Sequence, residues 1–321
     1  MRQVIGFECW YFPVAKGGRI SKLFSYACLF VKSLNALRCK QPGIVWVQLP
    51  QIPALWAALA YRALTTGDVK IIADCHNAQL RKPWCAFPLA LWSLKRSDAI
   101  LVHNEAMHAK AVELGWPMHK VLVLEDVPAI GKAQAPAGLA AAHIKAPKPW
   151  VLFPGSFAPD EPIHEVFEAA RLAPELTFII TGRPERARQH GHDIDTRPSN
   201  VILPGFLSIE LFDDLLREAD IVMGLTREEG IQLSVCNEAL GFGKPLITSD
   251  TRILRKLFGK AAVLVRTDDS VSIATGCKDA LKNINELSVR SAFLARERVA
   301  SWELMQLKQV SHLLSTVSRA I

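Results

Sequence analysis

What most limits the folds open to this chain is a repeated alternation of two patterns. Short runs rich in Val, Ile and Leu occur at 44–49, 69–73, 99–103 and 120–124, and stretches of helical periodicity (20–36, 54–64, 105–114) lie between them. After a stretch rich in Ala, Pro, Gly and Lys at 128–149 the alternation starts afresh. Apolar runs at 150–153, 177–181, 201–203, 220–223, 245–248 and 261–265 then alternate with helical patterns at 163–172, 209–218 and 234–240. From Ser272 onward the chain reads as helix, and Val4–Glu8 reads as a first strand. Strands with so few polar positions, each followed by a helix, predict parallel sheets covered on both faces.

The expected fold class is therefore α/β: two facing Rossmann-like domains, each with a mainly parallel sheet. A chain of 321 residues, half of them hydrophobic, suits two domains of about 150 residues and excludes intrinsic disorder. The expected division is 1–135 for the first domain, 136–149 for a linker, 150–300 for the second domain and 301–321 for a terminal segment. In open parallel sheets ligands bind beyond the carboxyl ends of the strands, so the facing edges are expected to form one cleft. The polar segment 186–200 reads as a surface excursion.

Charge is distributed unevenly. Residues 1–96 hold 13 basic and 3 acidic side chains, whereas the remainder holds 25 and 28. A basic first half favours anions: phosphates, an anionic membrane face or nucleic acid. No nucleic-acid-reading module or regular aromatic–basic interleaving is present, so nucleic acid is not expected. The seven cysteines are scattered without a Cys-x-x-Cys pair, which suits buried thiols in a reducing compartment. Gly6, Glu8 and Pro13 interrupt any signal-peptide pattern, and the apolar stretch 44–64 is broken by Gln48, Pro50, Gln51, Pro53 and Arg62. The expected location is cytoplasmic.

Several short constellations carry chemistry. Glu229-Gly230-Ile231-Gln232 leads into a helical segment containing Glu238, followed by Gly241-Phe242-Gly243-Lys244-Pro245. Loop amides and a helix N-terminus favour a phosphate, and a carboxylate inside the helix suits the two hydroxyls of a ribose. Arg183 follows a strand as the nearest cation for a phosphate. Gly17-Gly18, flanked by Lys16 and Arg19, permits close backbone approach, although it lacks the spacing of a dinucleotide fingerprint. Asp74-Cys75-His76-Asn77 lies at a strand's carboxyl end, and His103-Asn104-Glu105 at another, where Asn104 also suits a helix cap. The other histidines show no metal-ligand spacing, so no metal site is expected.

The segment from Glu229 to Pro245 resembles the donor-site signature of retaining glycosyltransferases with two Rossmann-like domains, the GT-B group that includes sucrose synthase and many polysaccharide and lipid-sugar transferases. The resemblance implies a nucleotide-diphosphate sugar as donor, no other cofactor and no metal. It places the ribose-binding glutamate at Glu238, and a histidine touching the donor sugar at His76. The first glutamate of the signature falls on Gly230, so Glu229, one residue early, is the candidate for its role at the sugar. Backbone at Gly230, Ile231 and Gln232, with Gly17, Gly18 and Arg183, is implied at the diphosphate. The lysine common after the domain's first strand is replaced by Asp160-Glu161. Ser301-Trp302-Glu303 resembles the late segment from which a terminal helix crosses back to the first domain.

Lys16, Arg19, Lys22, Lys32, Arg38 and Lys40, with the basic and aromatic run Arg81–Trp92, suggest an acceptor carried on lipid pyrophosphate at an anionic membrane surface. The expected function is sugar transfer to a hydroxyl of a lipid-linked saccharide, with retained configuration and peripheral membrane association. A sugar-nucleotide epimerase of similar architecture, and a non-catalytic anion- or nucleic-acid-binding protein, are the alternatives.

Overall fold

A computed structural model describes residues 8–12, 18–128 and 137–315. The expected strand at Val4–Glu8 and residues Lys16 and Gly17 lie outside these, apart from Glu8 itself. The chain divides into two compact units, Met1–Glu125 with Gln306–Ile321, and Asp126–Met305.

Unit 1 begins with α1 (Arg19–Lys40), whose buried positions Ser25, Leu29, Ser33 and Leu37 recur every fourth residue and so form one face. Then follow β1 (Ile44–Leu49), α2 (Ile52–Leu64), β2 (Lys70–Cys75), α3 (Ala90–Arg96), β3 (Ala99–Val102), α4 (Glu105–Glu113) and β4 (Val121–Val123). The strands lie in the order β1-β2-β3-β4, and every pairing is parallel. Pro53 sits in the first turn of α2, where its missing N–H leaves no helix bond unmade. Asn104 caps α4 by accepting the Met107 N–H at 2.9 Å.

Unit 2 contains α5 (Leu139–Ile144), β5 (Trp150–Pro154), α6 (Ile163–Leu172), β6 (Thr177–Thr181), α7 (Pro184–Gln189), β7 (Val201–Gly205) and α8 (Ile209–Glu218). It continues through β8 (Ile221–Gly224), α9 (Ser234–Gly241), β9 (Leu246–Ser249), α10 (Arg252–Phe258), β10 (Ala262–Val265), α11 (Ser270–Lys282) and α12 (Ile284–Ser301). Its sheet runs β10-β9-β8-β5-β6-β7, with all pairings parallel. Alternate residues of one strand feed two cores. Val151 and Phe153 face the core shared with α6 and α11, while Trp150 and Leu152 face the core shared with α9 and α10. Two buried faces explain why these strands read as unbroken apolar runs.

A turn at Trp302–Gln306 leads from α12 to α13 (Leu307–Ser315), which groups with unit 1, so the chain's last described helix returns to the first domain. Residues 316–321 lie outside the described set. Two expectations change in detail. The stretch expected as a linker holds α5, whose Ala140 and Ile144 are in the second unit's core. The expected surface excursion begins inside α7, and its Ala187 and Ile194 are buried.

Candidate functional site

In unit 2 the chain runs from β5 outward through β6 to β7 and then returns to place β8 on the other side of β5, so the strand order reverses between β5 and β8. A doubly wound sheet opens its ligand crevice at that point, beyond the carboxyl ends. The loops after β5, β6 and β8 border it.

The loop after β5 is closed on itself. Glu161, buried, accepts the Ser156 N–H at 2.9 Å, the Ser156 hydroxyl at 2.7 Å and the Phe157 N–H at 2.7 Å. Asp160 accepts the Thr226 hydroxyl at 2.5 Å, and its carbonyl accepts the Arg227 N–H at 2.8 Å, which ties this loop to the one after β8. Arg227 also donates to the Glu161 carbonyl at 3.1 Å and pairs with Glu165. The two acids that stand where a lysine was expected are therefore structural acceptors. Arg227 was missed by sequence reasoning, and nothing in its local sequence distinguishes it.

The loop after β8 carries the remaining candidates. Gly230 has φ +79, a conformation that disfavours a side chain, so a glutamate at this position would be strained. Glu229 directs its carboxylate to the Arg252 N–H at 3.1 and 3.2 Å, at the start of α10. Gln232 reaches the Asp126 carbonyl with Nε2 at 3.5 Å, and its buried Oε1 has no hydrogen-bond partner among the described residues. The preceding residue of α9, Leu233, offers no side-chain cap to the helix's first amides. Glu238 lies on α9, half-buried. Its neighbour Asn237 is held by Arg298, which donates to Asn237 Oδ1 at 2.8 Å and to the Asp126 carbonyl at 3.0 Å. Burial pushes the Cys236 thiol up to about 12, so it is a core thiol rather than a nucleophile. After β6, exposed Arg183 places its guanidinium 4.7 Å from the centre of the Phe206 ring.

In unit 1, β1, β2 and β3 bring a second set together. Asp74 at the end of β2 accepts the Trp46 Nε1–H at 2.9 Å with Oδ2, and its Oδ1 lies 2.8 Å from His103 Nε2. His103 Nδ1 is 3.1 Å from the Leu124 carbonyl. His76 lies against His103 with ring centres 4.4 Å apart and planes tilted by 35°, and its Nε2 is 2.9 Å from Gln48 Nε2. Asp74, His76 and His103 offer ligand atoms within 4.8 Å of one another, a cluster that linear spacing did not reveal. Both His103 nitrogens and both Asp74 oxygens already have hydrogen-bond partners, so the arrangement reads as a bonded network rather than a ligand set. Among the described residues no atom lies within 4 Å of where a Cβ would stand on Gly18, just before α1, and its carbonyl accepts the Lys22 N–H at 3.0 Å. Gly17 lies outside the described residues.

Comparison with known proteins agrees with this fold. Residues 148–283 match the family model described as Glycosyl transferases group 1. No curated protein matches the chain. Among solved structures, Alr3699/HepE of Anabaena in complex with UDP-glucose aligns with a TM-score of 0.72 at 14% identity, covering 95% of this chain and 85% of that one. Sucrose-phosphate synthase (tll1590) from Thermosynechococcus elongatus gives 0.71 at 16% identity, over 95% and 82%. A putative UDP-N-acetylglucosamine 2-epimerase from Listeria monocytogenes gives 0.57 at 16% identity, over 90% and 81%. The chain thus has the two-domain α/β fold of these solved structures, and residues 148–283 match the group 1 glycosyl transferase model.

Proposed function

We propose that this chain is a glycosyltransferase that takes its sugar from a nucleotide-diphosphate donor. The observation that carries the reading is a coincidence of place. The segment matching the group 1 family contains the β5/β8 reversal, and the loop entering α9 sits at that reversal. In this reading Glu238 accepts from the ribose hydroxyls. The backbone of Gly230, Ile231 and Gln232 and the first amides of α9 meet the diphosphate, and the orphan Gln232 Oε1 awaits a donor there. Arg183 supplies a cation for the phosphates. His76 is the ring that meets the transferred sugar, and Glu229 exchanges its bond to Arg252 for a sugar hydroxyl. Gly17 and Gly18 are assigned, as the resemblance implies, to the glycine loop at the donor diphosphate.

Such a donor already has a good leaving group, so the protein's work is orientation and stabilisation of charge developing on phosphate. The acceptor oxygen bonds to the anomeric carbon as the carbon–phosphate-oxygen bond breaks. Attack on the same face lets the leaving phosphate oxygen take the acceptor's proton, which retains configuration.

The acceptor is proposed to be a saccharide on lipid pyrophosphate, reached at an anionic membrane surface from the cytoplasmic side. Among the described residues, no helix is long and apolar enough to cross a membrane. On α1, Leu23 and Phe24 are each 72% exposed beside exposed Lys22, and Val31 is exposed beside Lys32. Tyr26 packs edge-on against Trp84 and Phe87, which brings the segment before α3 beside α1. Basic and apolar side chains interspersed in this way suit an anionic lipid surface.

A panel of nucleotide sugars, offered with and without anionic vesicles carrying membrane lipid extract, tests the reading. Lipid-dependent release of nucleoside diphosphate and co-sedimentation at low salt are expected. Glu238→Ala should weaken donor binding about tenfold or more, as loss of a charged hydrogen bond implies; unchanged donor affinity would sink the ribose assignment. The likeness to an epimerase structure supplies the second reading. Isomerisation of the donor sugar without any acceptor would establish it instead.

A further inference from the structure

Directly after β5 the backbone points two consecutive amides at one spot. Glu161 Oε1 accepts the Ser156 N–H at 2.9 Å and the Ser156 hydroxyl at 2.7 Å, while Oε2 accepts the Phe157 N–H at 2.7 Å and lies 3.1 Å from the Ser156 nitrogen. Successive N–H groups that converge in this way form a nest, a concave backbone site for an anion. Phe157 turns the backbone so that they converge. Its φ of +54 is a left-handed conformation that a bulky aromatic residue rarely adopts, and its ring is wholly buried. The anion in this nest is the chain's own carboxylate.

The nest stands at the carboxyl end of β5, where the strand order reverses. On one side the loop after β6 packs on it. A Cβ on Gly182 would collide with the Gly155 carbonyl oxygen and stand 2.8 Å from Phe157 Cε2, and Arg183 is the next residue. On the other side Asp160 accepts the Thr226 hydroxyl at 2.5 Å, at the start of the loop that leads to α9. Loops carrying groups assigned above to the donor's phosphates thus flank the nest. The Arg227 guanidinium is engaged with the Glu161 carbonyl and with Glu165, and among the described residues no cation pairs with the Glu161 carboxylate. A phosphate arriving here meets amides already bonded and an uncompensated like charge.

We propose that Glu161 is a specificity-determining residue: its carboxylate fills the anion nest after β5 from within the chain and turns a donor's phosphates away from that loop. The phosphates are left to the backbone of Gly230–Gln232, the first amides of α9 and Arg183. The proposal rests on the reading of this crevice as the donor site. The occupied nest itself does not depend on that reading.

The test follows backbone amide NMR signals of the full chain during titration with inorganic pyrophosphate and, separately, with formate, at constant ionic strength. In the wild type the Ser156 and Phe157 signals should stay in place with either anion. A saturable shift of both overturns the proposal. In Glu161→Ala the emptied nest should take an external anion: both signals should move, and added formate or pyrophosphate should raise the urea midpoint of the variant more than that of the wild type. Folding of the variant only after anion is added is the same result. A folded variant whose two amides ignore both anions overturns the proposal. Should the variant stay unfolded in every buffer, Glu161→Gln decides, because it keeps an acceptor for the loop and loses the charge. It should bind pyrophosphate roughly threefold or more tighter than the wild type, and equal affinity overturns the exclusion. Failure of the wild type to transfer any sugar would count against the proposed function alone, because the amides at 156 and 157 read the nest independently.

Discussion

Glu161 gathers two backbone N–H groups and a hydroxyl on one buried carboxylate, within a loop where Phe157 adopts φ +54. Remove the carboxylate and Ser156 and Phe157 lose the acceptor for their amides. Each unsatisfied buried donor costs about 1–3 kcal/mol, so Glu161→Ala should destabilise unit 2 by about 2–4 kcal/mol in urea titration. Glu161→Gln, whose carbonyl still accepts, should lose less; a change under about 0.5 kcal/mol for the alanine variant would refute the account. From sequence alone the two acids at 160 and 161 read only as a departure from an expected lysine. Their partners, Thr226 and Arg227, are 66 residues away and meet them only because β5 and β8 are neighbours. The Asp74–His103 bond was hidden for the same reason: both residues were noticed at strand ends, but their pairing depends on β2 lying beside β3. Gly230 is different, because its φ of +79 accounts for a glycine that sequence comparison could register only as a missing glutamate.

At the scale of elements, the strands were legible because parallel strands buried on both faces must be continuously apolar, as the wholly buried β3, β6 and β8 are. Helix α5 was not. Its six residues, Leu139–Ile144, lie among alanines and prolines, and Gly138 before it offers no side-chain cap. An isolated segment this short does not hold helix. What holds it is tertiary: Asp214, fully buried on α8, accepts the Ala140 N–H at 2.7 Å and pairs with Arg217. Asp214→Ala would leave a buried amide without its acceptor and Arg217 without its carboxylate. The expected loss is about 3 kcal/mol, and hydrogen exchange at 139–144 should become fast while β6 stays protected. Protection at 139–144 that survives the substitution would mean that packing of Ala140 and Ile144 alone suffices. Asp214→Asn, which keeps a carbonyl acceptor, should retain most of that protection.

For the whole molecule, the consequential fact is that unit 1 is built from both ends of the described chain whereas unit 2 is one continuous segment. Two described groups show how the return is held. Gln306 Oε1 accepts the Glu125 N–H at 2.7 Å, and Val310 on α13 is 2% exposed. Burying a valine contributes about 1.5–3 kcal/mol and a hydrogen bond about 1, so the terminal segment should stabilise unit 1 by about 2–4 kcal/mol. Unit 2 has its own sheet and its own cores, which among the described residues draw on none beyond 305. Deleting residues 306–321 should therefore act on one unit alone. Native-state hydrogen exchange can read each unit separately, through Ile71–Ala73 in β2 and Phe178–Ile180 in β6, all of them buried. Protection in β2 should fall by a factor of roughly 30 to 1,000, the equivalent of that energy, with β6 unchanged. An equal loss in both strands would show that the two units unfold as one cooperative body, and no loss in β2 would show that the returning helix contributes nothing to the unit it joins.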